Sequence, residues 1–501
     1  MKDKETLVIR ADADARAGTG HLMRCLALAE AWQDAGGEAI FVSACAAPSL
    51  KTRLETEGFR IIHPGDTTGT LFDARETTRI AREEGAVWIV VDGYQFGGEY
   101  QRAIKDSGLS LLFIDDYGHA DHYYADIVLN QNVYADMSFY PAYEPSTRFL
   151  LGTKYALLRR EFLNWPGRSR DCPETARKIL ITLGGSDPEN VTLKVLEAVK
   201  AVDADGLEVT AVMGGANPHF DRIHEVVKDR PGFRLVENAM NMPELMAWAD
   251  CAISAGGSTC WELLYMGVPS IVIPIAENQE PVARELRALQ IALVPDKHTL
   301  NDPGKFAGTI AGFLQSKEVR RGLAQRMARY IDGHGPARAI DAIHEEHIAL
   351  RRAAISDCRM IWQWINDPPV RAVSFSPGPI SLERHREWFS SALVNPDLVY
   401  YIAVDREGTP FGQARFLVES GEATISMLVG PGHRGKSLGS ALIRDATETF
   451  FRETGIGTVK AFIKTGNEVS RKAFARAGYT SRGLRDHQGE PAYLFMKCRG
   501  R

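Results

Sequence analysis

The sequence predicts two α/β lobes with parallel sheets, followed by a smaller α+β domain. From residue 7 to about 345, short apolar runs rich in β-branched residues alternate with longer helical stretches. That alternation is typical of parallel sheets covered on both faces. A Pro/Gly/Arg-rich segment at 165–174 interrupts the series, which then restarts. From residue 354 the apolar runs are spaced like antiparallel hairpins, which indicates a separate domain.

The two α/β lobes are expected to be doubly wound, Rossmann-like units that face a cleft. Ligands of such sheets bind beyond the carboxyl ends of the strands. The strands predicted for the first lobe are 7–12, 38–44, 87–93, 111–116 and 126–132. Those predicted for the second lobe are 178–185, 207–215, 233–238, 251–258 and 269–276. A helix over 330–353 is expected to lead out of the second lobe.

The last 150 or so residues carry a mixture of strands and helices. The predicted strands are 398–404, 411–418, 423–430, 458–464 and 492–497. The predicted helices are 437–455 and 468–478. A chain of 501 residues accommodates three ordinary domains. We expect their bounds to be 1–165, 175–349 and 350–501.

Composition excludes several classes of protein. Lys plus Arg total 59 and Asp plus Glu total 64, a formal charge of −5 that predicts no nucleic-acid partner. No apolar run approaches the ~20 residues that a membrane helix needs, so no membrane partner is expected. The first residues lack an apolar signal segment, and the seven cysteines form no CxxC pair. These features predict a cytoplasmic protein with reduced, buried thiols. They do not predict an oligomeric state.

A glycine turn follows the first strand and opens a helix. Gly18 and Gly20 allow close approach of a ligand to the backbone, and the free N–H groups of the new helix suit an anion. His21 follows directly, where the helix dipole disfavours a positive charge. We therefore expect a neutral imidazole that can accept a proton. The alternative is that His21 only caps the helix.

A second glycine turn lies between the fourth strand of the second lobe and its helix. Gly256, Gly257 and the hydroxyl of Ser258 would donate to a phosphate there. Glu262 comes one helical turn later, where its carboxylate could accept hydrogen bonds from ribose hydroxyls. The alternative for Glu262 is a glutamate that faces solvent.

Two more polar turns follow strands of the second lobe. Asn278 and Gln279 add amide groups after the last strand, and 184–187 ends the strand that opens the lobe. The need to form turns does not by itself explain three glycine or amide turns at strand ends in one lobe. We expect them to form one phosphate-binding crevice.

The motifs RADADARAGTGHLMRCLALA, VDGY (91–94), IDD (114–116), LNQN (129–132), YALLRREF (155–162), SAGGSTCWELLYMGVP and ENQ occur in this order. Over roughly residues 5–345 the chain resembles the PseG-type UDP-sugar hydrolases of pseudaminic acid biosynthesis. The resemblance implies a GT-B-like pair of lobes and hydrolysis of UDP-2,4-diacetamido-2,4,6-trideoxy-β-L-altropyranose. His21 takes the position of the catalytic base, and Tyr94 and Asn278 those of substrate-orienting groups. Gly256, Gly257, Ser258, Glu262 and Gln279 fall on its UDP-binding motifs.

We expect a reaction that needs no metal. UDP is a good leaving group, and the dipoles at 256–258 would absorb its developing charge. Neutral His21 would take a proton from water that attacks the anomeric carbon with inversion. The nearby carboxylates Asp12, Asp14, Asp115 and Asp116 are interpreted as strand-end residues, because they lack the spacing of metal ligands.

A basic turn in the last domain lies between a strand and a helix. It comprises Arg434, Gly435, Lys436, Ser437, Leu438 and Gly439. Successive N–H groups there could hold a pyrophosphate, although a plain basic surface turn is the alternative. With the segments 362–375 and 467–474, it resembles the GNAT acetyltransferases, more narrowly those of PseH type that acetylate a UDP-4-amino-sugar. The resemblance implies acetyl-CoA as co-substrate and a cofactor contact at Asn467.

Two positions depart from the GNAT pattern. Ser437 replaces the first glycine of the R-x-x-G-x-G motif. Phe474 stands where many members have a tyrosine that protonates the departing thiolate, so the general acid is left open. Tyr479 is the next residue able to serve, although its place normally holds a core aromatic residue. Trp362, Trp364 and Phe375 could stack on a nucleotide, but at helical spacing they are more typical of a core.

The preferred hypothesis is a bifunctional enzyme that acetylates a UDP-4-amino-sugar and then removes UDP. One alternative is a GT-B glycosyltransferase that passes the sugar from UDP to an acceptor. Another concerns the last domain alone, which would bind acyl-CoA without catalysis or acetylate protein amines. Sugar stereochemistry, the acyl group and channelling are not predicted by the motifs.

Overall fold

A computed structural model of the protein describes residues 4–13, 19–44, 48–65, 67–165, 170–185, 187–202, 204–214, 217–344, 348–376, 378–405, 408–434 and 438–499. The chain forms two compact units, Met1–Ile343 and His344–Arg501. The first unit contains two parallel sheets and the second a largely antiparallel one.

The first sheet has seven strands in the order β3-β2-β1-β4-β5-β6-β7. They are β1 (Thr6–Ala11), β2 (Glu38–Val42), β3 (Arg60–Ile62), β4 (Ala86–Asp92), β5 (Ser110–Ile114), β6 (Ile127–Asn130) and β7 (Arg148–Leu151). The helices of this lobe are α1 (Gly20–Asp34), α2 (Pro48–Thr56), α3 (Leu71–Glu83), α4 (Gly98–Lys105) and α5 (Arg160–Leu163). Every residue of β1 is buried, as its apolar composition predicts for a central strand of a covered parallel sheet.

The second sheet has five parallel strands in the order β10-β9-β8-β11-β12. They are β8 (Lys178–Thr182), β9 (Glu208–Met213), β10 (Phe233–Glu237), β11 (Cys251–Ala255) and β12 (Ser270–Ile273). Its helices are α6 (Val191–Lys200), α7 (Phe220–Val227), α8 (Met242–Trp248), α9 (Thr259–Met266), α10 (Glu280–Ala288), α11 (Lys297–Asn301), α12 (Pro303–Gln315), α13 (Lys317–Met327) and α14 (Gly335–His344). The buried residues of α14 join the apolar core of the first lobe, beside β1 and α1.

The second unit has strands in the order β13-β14-β15-β16-β17-β19-β18. They are β13 (Ala349–Arg352), β14 (Leu398–Val404), β15 (Pro410–Glu419), β16 (Glu422–Val429), β17 (Thr458–Lys464), β18 (Thr480–His487) and β19 (Glu490–Cys498). Its helices are α15 (Cys358–Ile365), α16 (Pro368–Val373), α17 (Leu382–Val394), α18 (Leu438–Glu453) and α19 (Glu468–Arg476). The pair β16 and β17 is parallel and shares only two register positions, at Ala423 and Thr424, so the strands diverge towards Val429.

The predicted helix over 330–353 is wrong. The helix ends at His344, and Ala349–Arg352 is instead the edge strand β13, which pairs with Tyr401–Val404. Ala, Leu and Arg favour helices, but the backbone hydrogen bonds of the neighbouring strand outweigh this local preference. The strands β3, β7 and β18 were also not predicted, since the first two are short and nearly all of β18 is exposed.

The cysteines agree only in part with the prediction of buried thiols. Among the described residues all are free, and five are buried, but Cys498 at the end of β19 is exposed. None of the helices in the described ranges combines the length and the apolarity that a bilayer crossing requires.

Candidate functional site

The first site element is the crevice at the carboxyl edge of the first sheet. The chain leaves β1 towards β2 on one side and β4 towards β5 on the other. A doubly wound sheet opens a ligand crevice where the direction of winding reverses in this way. Asp92 is the last residue of β4, and α1, which begins at Gly20, carries His21 to the same point.

His21 is buried and held by a carboxylate. Its Nδ1 lies 2.6 Å from Oδ1 of Asp92 and 3.3 Å from Nη2 of Arg24. An ionised carboxylate can only accept, so the short contact with Asp92 assigns the proton to Nδ1. Nη2 of Arg24, which can only donate, then bonds to Asp92 rather than to His21. In a neutral imidazole with this tautomer, Nε2 is the proton acceptor. The position at the start of α1 agrees with the prediction, but the sequence reasoning did not identify the carboxylate partner.

Arg24 lies one turn later on α1 and forms a two-pronged contact with Asp92. Its Nε and Nη2 donate to the two oxygens of Asp92, each at 2.7 Å, and Nη1 donates to Oδ1 of Asp116 at 2.7 Å. Burial disfavours the charged form of Asp92, but the charge of Arg24 and the hydrogen bonds from Arg24 and His21 outweigh it and hold its pKa well below the usual range. The Asp92 carboxylate is therefore ionised.

Asp116 connects this network to the crevice. It accepts a hydrogen bond from Asn132 Nδ2 at 2.8 Å and one from the hydroxyl of Tyr94 at 2.7 Å. Burial opposes its ionisation, yet Arg24 lowers its pKa. Asp116 follows a strand, as the sequence predicted, but its role in holding Arg24 and Tyr94 was not predicted.

Tyr94 joins the two lobes of the first unit. Its hydroxyl accepts a hydrogen bond from Asn278 Nδ2 of the second lobe at 3.0 Å, and its ring lies edge-on to the ring of His21, 4.8 Å away. Burial and the neighbouring Asp116 raise the pKa of Tyr94, so the hydroxyl remains protonated. The structure thus brings together three residues that the sequence predicted separately.

The polar turns of the second lobe also meet at a winding reversal, between β8 and β11. A Cβ atom placed on Gly185 would lie 2.9 Å from the side chain of Thr19, so glycine permits the turn after β8 to approach α1. A Cβ placed on Gly20 would lie 3.5 Å from Oγ of Ser258. The predicted phosphate turns of the two lobes therefore face each other.

The turn after β11 differs from the prediction in one respect. The N–H of Gly256 was expected to bind phosphate, but here it donates to Oε1 of Gln279 at 3.1 Å. The same oxygen accepts the N–H of Ile275 at 3.0 Å, so Gln279 links the turns after β11 and β12. Gly257 has open space where a side chain would lie, and Ser258 forms no side-chain cap on α9. Gly257 and Ser258 remain the candidate anion donors.

Glu262 is paired and largely buried, which rules out the solvent-facing alternative. Its Oε1 accepts a hydrogen bond of 2.8 Å from Nη2 of Arg159, a residue of the first lobe, and 15% of its side chain is exposed. Burial raises the pKa of Glu262, and Arg159 opposes this shift. Arg159 in turn lies 2.6 Å from Glu161. The sequence placed Arg159 in a motif but did not predict this pair.

Several predicted residues cannot be placed. Gly18 and Asp14 in the first lobe, and Gly435, Lys436 and Ser437 in the second unit, lie outside the described residues. Within the part of the chain that is described, no group of three or more His, Cys, Asp or Glu side chains could hold a metal ion.

In the second unit, the described ends of the basic turn flank the point where β16 and β17 diverge. Arg434 donates from Nε to the carbonyl of Val429 at 3.0 Å and pairs through Nη1 with Asp367. Its Nη2 is buried without a partner among the described residues. Leu438 begins α18, and Gly439 has open space around it.

The predicted cofactor contact at Asn467 has a structural role here. Its Oδ1 accepts the N–H of Ser470 at 3.1 Å and so caps α19. Phe474 is buried in the core, as is Tyr479, whose hydroxyl lies 2.7 Å from Oγ1 of Thr447. Burial raises the pKa of Tyr479, and this position does not suit a proton donor to a thiolate.

A further basic residue of this unit was not predicted. The guanidinium of Arg415 lies 4.7 Å above the ring of Trp388, which is 40% exposed. Among the described residues Arg415 has no hydrogen-bond or ion-pair partner, and burial lowers its pKa. The facing position on β16 is Ser426, which is exposed. A single arginine within a strand carries no sequence signal for this arrangement.

The matches to known protein families fall in separate parts of the chain, one in each compact unit. Residues 179–330 match the glycosyltransferase family 28 C-terminal domain, and residues 347–480 match the acetyltransferase (GNAT) domain. The predicted fold class, a GT-B-like pair of Rossmann-like lobes followed by a GNAT-type domain, is confirmed by the two parallel sheets and by these matches.

Three relatives match large parts of the first unit or extend beyond it. The chain is 24% identical to the UDP-2,4-diacetamido-2,4,6-trideoxy-beta-L-altropyranose hydrolase of Campylobacter jejuni, over 55% of this chain and 94% of that protein. It is 29% identical to the spore coat polysaccharide biosynthesis protein SpsG of Bacillus subtilis, over 45% and 67%. It is 25% identical to an uncharacterised protein of Methanocaldococcus jannaschii, over 77% and 78%. The resemblance to a PseG-type hydrolase joined to a GNAT domain is thus confirmed.

Proposed function

We propose that this chain is a bifunctional enzyme of nucleotide-sugar metabolism. Its first unit would hydrolyse UDP-2,4-diacetamido-2,4,6-trideoxy-β-L-altropyranose, and its GNAT unit would acetylate the UDP-4-amino-sugar that precedes it. The relatives support a UDP-sugar hydrolase with an acetyltransferase domain. The observation that carries the hydrolase proposal is the pairing of His21 with Asp92, in a crevice that faces the glycine turns of the second lobe.

His21 is the proposed general base. Since Nδ1 donates to Asp92, Nε2 can take a proton from a water molecule in the crevice. The water oxygen forms a bond to the anomeric carbon as the bond from that carbon to the UDP oxygen breaks. The electron pair leaves with the β-phosphate of UDP, and the attack from the opposite face inverts the anomeric centre.

The second lobe would bind the leaving group. The backbone at Gly257, the hydroxyl of Ser258 and the N-terminal end of α9 can meet the negative charge that develops on the pyrophosphate. Glu262 would accept hydrogen bonds from the ribose, held in place by Arg159. Tyr94 and Asn278, which already share a hydrogen bond, would orient the sugar beside His21.

The GNAT unit would bind acetyl-CoA at the end of β16. Acetyl-CoA supplies the acetyl group as a thioester that an amine can attack. The Nη2 of Arg434, buried and unpartnered among the described residues, and the N-terminal end of α18 suit the phosphates of this co-substrate, which fits the site chemically. Phe474 and Tyr479 are not proposed as proton donors, because both lie in the core.

The proposed acceptor is an anionic amino sugar nucleotide. Arg415 presents a guanidinium that no described carboxylate neutralises, and the exposed ring of Trp388 lies against it. Such a pair suits a phosphate with an attached aromatic base. A protein amine acceptor would not require an unpaired cation there.

A coupled assay tests both activities. The full chain is incubated with acetyl-CoA and the UDP-4-amino-sugar, and products are separated by liquid chromatography. We expect the acetylated nucleotide sugar to form first and free UDP to follow. Omitting acetyl-CoA should abolish UDP release, whereas adding the diacetamido nucleotide sugar should restore it. If the protein does not release UDP from the diacetamido nucleotide sugar, the proposed hydrolase activity is rejected.

The match to a glycosyltransferase domain favours one alternative, transfer of the sugar from UDP to an acceptor. The two reactions differ in their need for that acceptor. UDP released from the purified protein and substrate alone would support hydrolysis. Release that requires an added acceptor would support transfer.

A further inference from the structure

Arg24 is a buried arginine that binds two carboxylates of the crevice. Its three donor nitrogens each contact a carboxylate at 2.7 Å, and its side chain is 7% exposed. Nε and Nη2 donate to the two oxygens of Asp92, and Nη1 donates to Asp116. The planar guanidinium can hold two carboxylates in this way, whereas a lysine ammonium cannot.

Arg24 also determines the charge around His21. With Asp92 and Asp116 ionised and Arg24 positive, the described charged groups in contact with one another carry a net charge of −1. In the proposed reaction His21 starts as the neutral base. When His21 takes a proton, the cluster becomes neutral as a whole. Among the described residues, Tyr94 also contacts His21, and it stays protonated and adds no charge.

We propose that Arg24 is a positioning residue for the hydrolytic reaction, which fixes the Asp92 carboxylate against His21 Nδ1 and limits the negative charge that the base experiences. This inference rests on the proposed role of His21. Because Arg24 keeps Asp92 ionised, the proton taken from water stays on His21. Because all three of its side-chain nitrogens donate to carboxylates, Arg24 would act through Asp92 and Asp116.

Two substitutions distinguish the effect of the guanidinium geometry of Arg24 from the effect of its positive charge. Arg24→Lys keeps the positive charge but loses the fork, so kcat should fall about 10- to 10²-fold, as for a slightly misplaced catalytic group. The acidic limb of its pH profile should stay where it is in the wild type. Arg24→Gln leaves two carboxylates without a cation. His21 should then retain its proton to higher pH, and the acidic limb should move to higher pH.

A double variant checks the charge argument and guards against a folding defect. Arg24→Gln with Asp116→Asn restores the net charge of −1, so its acidic limb should return towards the wild-type position. Arg320→Lys serves as a control, since Arg320 is fully buried in the second lobe and holds only backbone carbonyls. It should lose stability without a change in the pH profile.

The experiment measures UDP release against pH for the full-length wild type, these variants and His21→Ala, with the protonation of His21 followed in parallel by ¹⁵N NMR of histidine-labelled protein. In Arg24→Gln alone, we expect the acidic limb to move to higher pH and His21 to stay protonated up to a higher pH. Wild-type kcat in Arg24→Lys, or unchanged His21 protonation in Arg24→Gln, would overturn the inference. Full activity of His21→Ala would instead reject the proposed base, while the NMR comparison still decides the role of Arg24.

Discussion

Asn278 of the second lobe donates a hydrogen bond of 3.0 Å to the hydroxyl of Tyr94 in the first. That hydroxyl donates in turn to Asp116, which holds Arg24. A continuous set of contacts therefore runs from the turn after β12 to the base at the start of α1. Both halves of the crevice contribute to it, so its disruption should affect catalysis more than stability.

Removal of the Tyr94 hydroxyl tests this link. Tyr94→Phe keeps the ring against His21 but breaks the bonds to Asn278 and Asp116. A hydrogen bond to a charged group contributes about 1.5–3 kcal/mol, so kcat/KM for UDP release should fall roughly 10- to 10²-fold. Tyr100→Phe is the matched control, because its buried hydroxyl contacts Asp73 and Thr77 away from the crevice. Equal activities of the two variants would contradict the role of Tyr94.

Asp92→Asn should be nearly as damaging as His21→Ala. The asparagine amide can donate to Nδ1, which favours the imidazole form with its proton on Nε2 and removes the acceptor for the water proton. Loss of a general base lowers the rate by about 10²–10⁴-fold. Steady-state UDP release from both variants provides the comparison. An Asp92→Asn protein with wild-type turnover would show that Asp92 does not orient the base.

The buried carboxylates predict acid sensitivity. Arg24 lowers the pKa values of Asp92 and Asp116 against the opposing effect of burial. Their folded-state values lie below the unfolded value of about 3.9, so their contribution to stability is present above that pH and is lost as the pH falls below it. Thermal unfolding followed by circular dichroism should show a falling melting temperature from about pH 5 downwards. A melting temperature that stays constant to pH 3 would contradict this linkage.

Glu262→Gln should weaken UDP binding through the ribose. The amide keeps the size of the side chain but loses the charge that accepts hydroxyl hydrogen bonds and pairs with Arg159. Charge-assisted hydrogen bonds of about 1.5–3 kcal/mol predict an affinity lower by roughly 10- to 10²-fold. Titration calorimetry with 2′,3′-dideoxy-UDP supplies the control, since this ligand should bind both proteins equally. An equal loss for both ligands would place Glu262 away from the ribose.

Tyr479→Phe should leave acetyl transfer intact. The hydroxyl is buried against Thr447, so its loss should cost about 1 kcal/mol of stability and leave the release of coenzyme A unchanged. Free thiol can be followed with a colorimetric reagent under saturating acetyl-CoA. A loss of transfer in a folded variant would instead restore Tyr479 as the general acid.

Local patterns predicted the central strands and glycine turns well, because buried parallel strands need continuous apolar runs. Edge strands were missed where the pattern was weak, as in Ala349–Arg352, where pairing overrides helix-forming residues. The site shows the same limit. His21 has a local signal, whereas Arg24, Asp92 and Asp116 acquire their roles only when separate strands end at one crevice.

Hydrolysis in H₂¹⁸O tests the central claim most directly. The purified full-length protein is given UDP-2,4-diacetamido-2,4,6-trideoxy-β-L-altropyranose, and both products are examined by mass spectrometry. Attack of water at the anomeric carbon predicts one ¹⁸O atom in the released sugar and none in UDP. Label in UDP, or a failure to release UDP from this substrate, would contradict the proposed reaction.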